Sequence, residues 1–394
     1  MAQETATDTP QETHSPRLAT GLVFGAFLLV LAAGVLLSAV AFARMEDAPE
    51  GSLRTGEWTS RFEGAFDQAL PLYEPALHLW TAIRYSLFSE GGPGLVVGAD
   101  DWLFTTEELE TYPRDGERVE EAAAYIAAVA RALGKRDAAL AVVLLPAKAR
   151  IYEDMLPGYG LPQVVDRRYE RTLTALRGAA GVADAGVADA PPAAVVDARA
   201  ALRRARSAGT EVFLRTDTHW TPEGAAAVAR AVAGEVSGLL ERRNVPRTRF
   251  ERVPAGTEAH RGDLLRFLPL GPFDVAFGPA PDSLTRYETA AAGGDSGGLF
   301  DDPSIPVTLV GTSYSADELW GFPGALAEAL EADVLTAAAE GEGPFEPMEE
   351  YLRGDTIADQ PPELVIWEIP ERYLAAGLPE QAHLRLEEQA RPGE

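Results

Sequence analysis

The chain predicts an α/β protein: a parallel sheet flanked by helices, preceded by one N-terminal transmembrane helix. Three observations carry that expectation. Short β-rich runs alternate with amphipathic helical runs at the spacing of right-handed crossovers. Chemistry-bearing residues fall just after the strands, where open α/β sheets place their sites. The run Thr20–Ala43 carries no charge and is long enough to cross a bilayer as a helix.

Composition narrows the function classes. At 394 residues and 46% hydrophobic, the chain can form one large α/β domain or two smaller ones. It has no cysteine, which excludes disulfides, Cys-ligated metals and a Cys nucleophile. A net charge of −27 argues against nucleic acid as a partner, because phosphate binding needs a basic surface.

Residues 1–19 read as a polar cytoplasmic tail and 20–43 as the membrane anchor. Arg17 and Arg44 bracket the apolar run without fixing its orientation. Ala41-Phe42-Ala43 also fits a signal-peptidase site, so a cleaved leader is the second reading. Either way the rest of the chain is expected to be exported. Residues 44–89 form a linker and peripheral helices rich in aromatics (Trp58, Phe62, Phe66, Tyr73, Trp80, Tyr85, Phe88).

From residue 90 the elements follow in order. Two short apolar runs flank Gly98-Ala99-Asp100-Asp101, a hairpin signal. Glu117–Leu133 is an Ala-rich amphipathic helix stopped by Gly134. Ala139–Leu145 reads as a buried strand that delivers Lys148 and Arg150 at its end. Arg167–Arg177 reads as a helix, Gly178–Ala193 as a loop, Val195-Val196-Asp197 as a strand and Ala198–Ala208 as a helix. Arg199, Arg203 and Arg206 share a face of that last helix, expected to be solvated.

Val212-Phe213-Leu214 reads as a further strand. Thr221-Pro222-Glu223 then opens a helix to about Arg242, with Thr as N-cap and Pro at the first position. Between them stand Asp217 and His219. A carboxylate beside an imidazole can fix its tautomer and stabilise its charged form; the plainer reading is a capping Asp next to an incidental His. Residues 244–300 are expected to lack regular structure, a long insertion of the kind that is often functional.

The rhythm resumes at Ile305–Val310, then Gly311-Thr312-Ser313-Tyr314-Ser315, then a helix over about Asp317–Leu330. A serine on a tight strand-to-helix turn has an exposed oxygen, with helix N–H groups nearby for an oxyanion. Ser313 is expected at the apex and Ser315 as the helix N-cap. A Ser that only caps a helix is the alternative for the pair. Strands are expected at Ala332–Thr336 and Leu364–Glu368, separated by a helix near Pro347–Arg353. His219 has no His at i+3 or i+4, and no HExxH occurs, so no metal site is called. No cofactor is called either.

Several of these pieces together resemble the alginate O-acetyltransferase family of the AlgJ/AlgX type, whose catalytic domain is SGNH-hydrolase-like. They are Gly98–Phe104, Pro146-Ala147-Lys148 with Ile151-Tyr152, Asp217-Thr218-His219-Trp220, Gly262-Asp263-Leu264-Leu265, Gly311–Ser315, and Trp367-Glu368 with Glu371-Arg372-Tyr373. The resemblance makes 90–394 an SGNH-like catalytic domain with Ser313 as nucleophile and Asp217 and His219 completing the triad. It implies acetyl transfer to hydroxyls of a bacterial exopolysaccharide in the periplasm. The acetyl group would come from a membrane-bound O-acyltransferase partner at the inner membrane. Lys148, Trp220, Arg261, Tyr314 and Arg372 are the candidate substrate contacts, with ordinary core or surface roles as their alternatives. The single Asn of the chain, Asn244, falls in a linker-like stretch, which leaves backbone N–H groups at Ser313 and a neighbouring turn for the oxyanion. The same triad would serve a polysaccharide acetyl-esterase. A non-catalytic subunit of an export complex is the reading of a different class.

Overall fold

The computed structural model describes residues 16–45, 51–158, 160–186, 193–292 and 305–379. The first 15 residues, most of the expected cytoplasmic tail, lie outside them. The chain divides into two compact units, Met1–Ala82 with Leu270–Ala276, and Ile83–Pro269 with Phe277–Glu394.

In the first unit one helix, Pro16–Arg44, contains a 25-residue stretch, Thr20–Arg44, long and apolar enough to cross a membrane. The helix Glu57–Ala69 carries Trp58, Phe62 and Phe66 at i, i+4 and i+8. Successive rings stack at 5.1 and 5.9 Å, and Phe66 meets Phe42 at 5.2 Å.

The second unit is the α/β domain. In chain order its strands are β1 (Leu95–Val97), β2 (Leu103–Thr105), β3 (Ala139–Leu145), β4 (Ala193–Asp197), β5 (Phe250–His260), β6 (Asp282–Ala291), β7 (Val307–Val310), β8 (Val334–Thr336) and β9 (Leu364–Pro370). Five of them form a wholly parallel sheet in the order β4-β3-β9-β7-β8. The central pair β3 and β9 is buried along its whole length, which is why β3 reads as an unbroken apolar run and β9 as one interrupted only by Glu368, rather than as alternating strands.

Period-two alternation sends those side chains into two cores. Ala141, Val143, Leu309 and Ile366 face the helices Ala198–Ser207, Pro222–Arg242 and Phe322–Leu330. Leu140, Val142, Leu144 and Trp367 face Asp115–Gly134, Gln163–Gly186 and Phe345–Arg353. Because the strands are parallel, the residues after β3, β7 and β9 emerge on one rim.

Five sequence expectations change. Val212-Phe213-Leu214 is no sheet strand: Phe213 makes a single antiparallel bridge to Trp220, so Asp217 and His219 lie on a loop folded back on itself. The stretch after 244 contains a long antiparallel hairpin, β5 with β6, whose last pair is His260 with Asp282. Polar residues on both faces hid its alternation. The helix after Ser313 is broken at Asp317, which is extended, and at Gly321, at φ 58°, into Ser313–Ala316, Glu318–Trp320 and Phe322–Leu330. The Gln163–Gly186 helix runs well past Arg177, into the expected loop. The three arginines of Ala198–Ser207 are not simply solvated. Arg199 lies over the Tyr169 ring at 4.4 Å and Arg206 over Tyr152 at 4.1 Å.

Candidate active site

Ser313 follows β7 by three residues, and β9 shapes its turn. Glu368 of β9 is buried, and its Oε2 accepts from Thr312 N (2.9 Å), Thr312 Oγ1 (2.9 Å) and Ser315 Oγ (3.1 Å). Burial pushes the Glu368 carboxyl up, while these donors pull it back down. A Cβ at Gly311 would stand 2.7 Å from both Glu368 Oε2 and Ser315 Oγ, so this wrap requires glycine there. The residue that caps the first helical turn is Thr312, not Ser315, as its hydroxyl accepts from Tyr314 N at 3.4 Å. Ser313, partly exposed, is left at the apex.

The loop carrying Asp217 and His219 owes its shape to four other segments. Asp282, at the foot of the hairpin, accepts from Arg215 N (3.0 Å) and Thr216 N (2.9 Å). Lys148 Nζ donates to the carbonyls of Leu103, Arg215 and Asp217 at 2.6, 2.8 and 2.9 Å. Asp263 accepts from Thr218 N and Thr218 Oγ1, both at 2.8 Å. Tyr314 donates its hydroxyl to Thr218 O at 2.6 Å, fastening this loop to the Ser313 turn. Gly262 packs so close that a Cβ would sit 2.0 Å from Thr216 O.

These supports bring three side chains into line. His219 Nε2 lies 2.8 Å from Ser313 Oγ, and His219 Nδ1 lies 2.6 Å from Asp217 Oδ1. Asp217 is ionised in this setting, so Nδ1 carries a proton and Nε2 presents a lone pair to the serine hydroxyl. Burial pushes the Asp217 carboxyl up, but the bonds from His219 and His260 outweigh it and hold it far below the usual carboxylate range. Trp320 lies flat against the His219 ring, centroids 4.9 Å apart at 16°, and fixes its plane. A buried anion, an oriented imidazole and a hydroxyl in series can activate the hydroxyl as a nucleophile.

Asp217, His219 and Asp263 also offer ligand atoms within 4.8 Å of one another. The Asp217 carboxylate is already saturated, by His219 N and Nδ1 on Oδ1 and by His260 Nε2 and Asp263 N on Oδ2, and has no lone pair left for a metal ion.

The family model described as SGNH hydrolase-like domain, acetyltransferase AlgX, matches residues 95–371. The chain belongs to this family. It is 40% identical over 362 residues to the probable alginate O-acetylase AlgJ of Pseudomonas aeruginosa, spanning 89% of this chain and 88% of that one. It is 39% identical over 360 residues to the probable alginate O-acetylase AlgJ of Azotobacter vinelandii, spanning 89% and 87%. The solved O-acetyltransferase domain of Pseudomonas putida AlgJ superposes with a TM-score of 0.64 at 35% identity, covering 75% of this chain and all of that one. The solved Pseudomonas aeruginosa AlgX, at 24% identity and a TM-score of 0.53, covers 71% and 62% and shares the fold. The SGNH-like α/β architecture expected from the sequence is therefore the family's own.

Against this family frame the candidate substrate contacts divide. Lys148 is corrected: it is fully buried and saturated by carbonyls, and burial lowers its amine to about 8. Trp220 is also fully buried, edge-on to Tyr314 at 5.4 Å, so it packs the floor beneath the site. Tyr314 is buried and spends its hydroxyl on Thr218. Arg261 is exposed, and Arg372 lies over the Tyr373 ring at 5.1 Å with Glu107 at 3.7 Å. Two further cations, Arg150 and Arg215, are likewise engaged. Arg150 is buried against both oxygens of Glu371 at 3.1 Å, and Arg215 is paired with Asp282 at 3.4 Å. Asn244 ends the Pro222–Arg242 helix with φ 53°, a turn role rather than an oxyanion one.

Sequence reasoning passed over His260, Trp320, Asp282 and Glu368 as site residues. Two had a signal. Glu368 is the lone acid in an otherwise apolar strand, and His260 stands two residues before the quoted Gly262-Asp263.

Proposed function

We propose that this chain is an exported O-acetyltransferase, held by its N-terminal helix at the inner membrane, that moves acetyl groups onto hydroxyls of an alginate-like polysaccharide. The observation that carries the reading is the continuous Ser313–His219–Asp217 line. His219 Nε2 takes the proton as Ser313 Oγ attacks the acetyl carbonyl, and Asp217 stabilises the imidazolium that forms. Collapse of the tetrahedral intermediate expels the donor's oxygen, which collects the proton from His219. A sugar hydroxyl then repeats the sequence on acetyl-Ser313, with His219 as its base. The backbone N–H of Ser313 would serve as a donor to the developing oxyanion. Membership of an acetyltransferase family and the names of the AlgJ relatives support the chemistry and the acceptor class. A membrane-bound O-acyltransferase would supply the acetyl group.

The test uses the full-length chain in detergent with p-nitrophenyl acetate as donor and deacetylated polymannuronate as acceptor. The expected result is acetyl ester on the polymer, absent with Ser313→Ala. Release of acetate alone, whatever the acceptor, would make the protein an esterase. A C-terminal reporter active only in the periplasm reads the topology, and an intact fusion without reporter activity would sink the export claim.

A further inference from the structure

We propose that His260 is a positioning residue for acetyl transfer, holding Asp217 as an anion in the orientation that serves His219. The proposal rests on the triad reading above. It starts from how the Asp217 carboxylate is shared. Oδ1 accepts from His219 Nδ1 at 2.6 Å and His219 N at 2.9 Å. Oδ2 accepts from His260 Nε2 at 2.8 Å and Asp263 N at 3.0 Å. Two imidazoles therefore meet one buried carboxylate, one on each oxygen.

The terminal torsion of an aspartate is broad and roughly two-fold. What prevents rotation here is the donor set on the far edge, and His260 is the side-chain member of that set. With it removed, Oδ2 keeps only one backbone donor in a buried setting, and the carboxylate is free to turn away from His219. Buried acceptors left short of donors are costly, so the carboxylate would relax or take up a proton.

His260 is itself held from three sides. It occupies the last pair of the β5–β6 hairpin, opposite Asp282, whose carboxylate fastens the Arg215–Thr216 backbone. Its ring stands edge-on to Trp320, centroids 5.7 Å apart at 85°, while the same indole stacks flat on His219. One indole thus sets the planes of both imidazoles around their common carboxylate. The bond to Asp217 raises the proton affinity of His260 against the opposing effect of burial, and Asp282 and Asp263 add to it. A histidine that only filled space would need some acceptor; this one uses the carboxylate on which His219 depends.

The test measures p-nitrophenyl acetate turnover by the full-length chain in detergent, per folded molecule, with the folded fraction read by circular dichroism. His260→Ala should lose roughly 10- to 100-fold in kcat, as expected for removing a bond to a charged group, with KM little changed. His260→Gln, whose amide N–H can reach the Nε2 position, should recover most of that loss. A purely structural histidine would lower the folded fraction and leave kcat per folded molecule untouched. The role of His260 is overturned if His260→Ala keeps kcat within about twofold of wild type while Ser313→Ala is dead. If Ser313→Ala itself turns over normally, the triad reading fails and takes this role with it.

Discussion

Ser315 Oγ donates to Glu368 Oε2 at 3.1 Å, so the second serine of the turn is committed to a buried carboxylate. Ser313 Oγ, two residues earlier, faces His219 Nε2 at 2.8 Å. The two hydroxyls have been given different partners, and substitution should separate them. Ser313→Ala should abolish acetyl transfer with the melting temperature almost unchanged. Ser315→Ala should lower stability by roughly 1 kcal/mol and spare part of the activity. Mapping the trapped acetyl-enzyme by mass spectrometry decides between them, since acetyl on Ser315 would contradict this assignment.

Glu368 is expected to act on the turn rather than on the substrate. Its Oε2 gathers three donors, whereas Oε1 is buried with no partner among the described residues. Glu368→Ala would orphan the Thr312 N–H and both hydroxyls, at a cost of about 3 kcal/mol. Glu368→Gln keeps an acceptor oxygen and, being neutral, suits a site where burial already raises the carboxyl. It should stay within about 1 kcal/mol of wild type. Urea midpoints of the two variants test this, and equal losses in both would show that the charge, not the acceptor, matters.

Much of the fold was readable because the sheet is parallel and buried. Ala139–Leu145 is apolar throughout and Leu364–Pro370 is apolar but for Glu368, and the Thr221 cap with Pro222 places the Pro222–Arg242 helix at its start. Ser313, His219 and Asp217 were readable because they sit in short polar turns between such elements. The supports were not. The β5–β6 hairpin exposes residues on both faces, so period two carries no apolar signal there. His260 reaches Asp217 across 43 residues and Glu368 reaches Thr312 across 56, separations that local patterns do not encode. Lys148 was misread for a related reason: a lysine after a strand reads as exposed until the loops that cover it are known.

The His260–Asp217 contact should also show in stability against pH. The His260 value is raised, so its contribution is complete below the ordinary histidine value of 6.5 and fades as pH rises through the folded value. The Asp217 value is depressed, so its contribution holds above the ordinary 3.8 and is lost only as pH falls below that. The two overlap between those values. Wild type should therefore exceed His260→Gln in melting temperature most near about pH 5, with the gap narrowing toward about pH 8. A gap that stays constant across that range would show that His260 does not gain charge on Asp217.

Lys148 offers the clearest contrast between a substrate contact and a strut. Its amine joins the β2 strand at Leu103 to the loop at Arg215 and Asp217, and no part of it reaches solvent. It also sits 5.2 Å from the Trp102 ring and 5.3 Å from Phe104, a cation bounded by aromatic faces and carbonyls. Lys148→Met preserves much of the volume and removes all three donors. The buried carbonyls each lose a partner, which should cost roughly 3 kcal/mol or more in unfolding free energy. Because one of those carbonyls belongs to Asp217, kcat should fall as well, through a loosened loop. KM for the polysaccharide acceptor should stay near the wild-type value in the folded fraction. A variant of undiminished stability with a raised acceptor KM would return Lys148 to the substrate surface. Denaturant midpoints and acceptor titrations on the same preparation supply both readings.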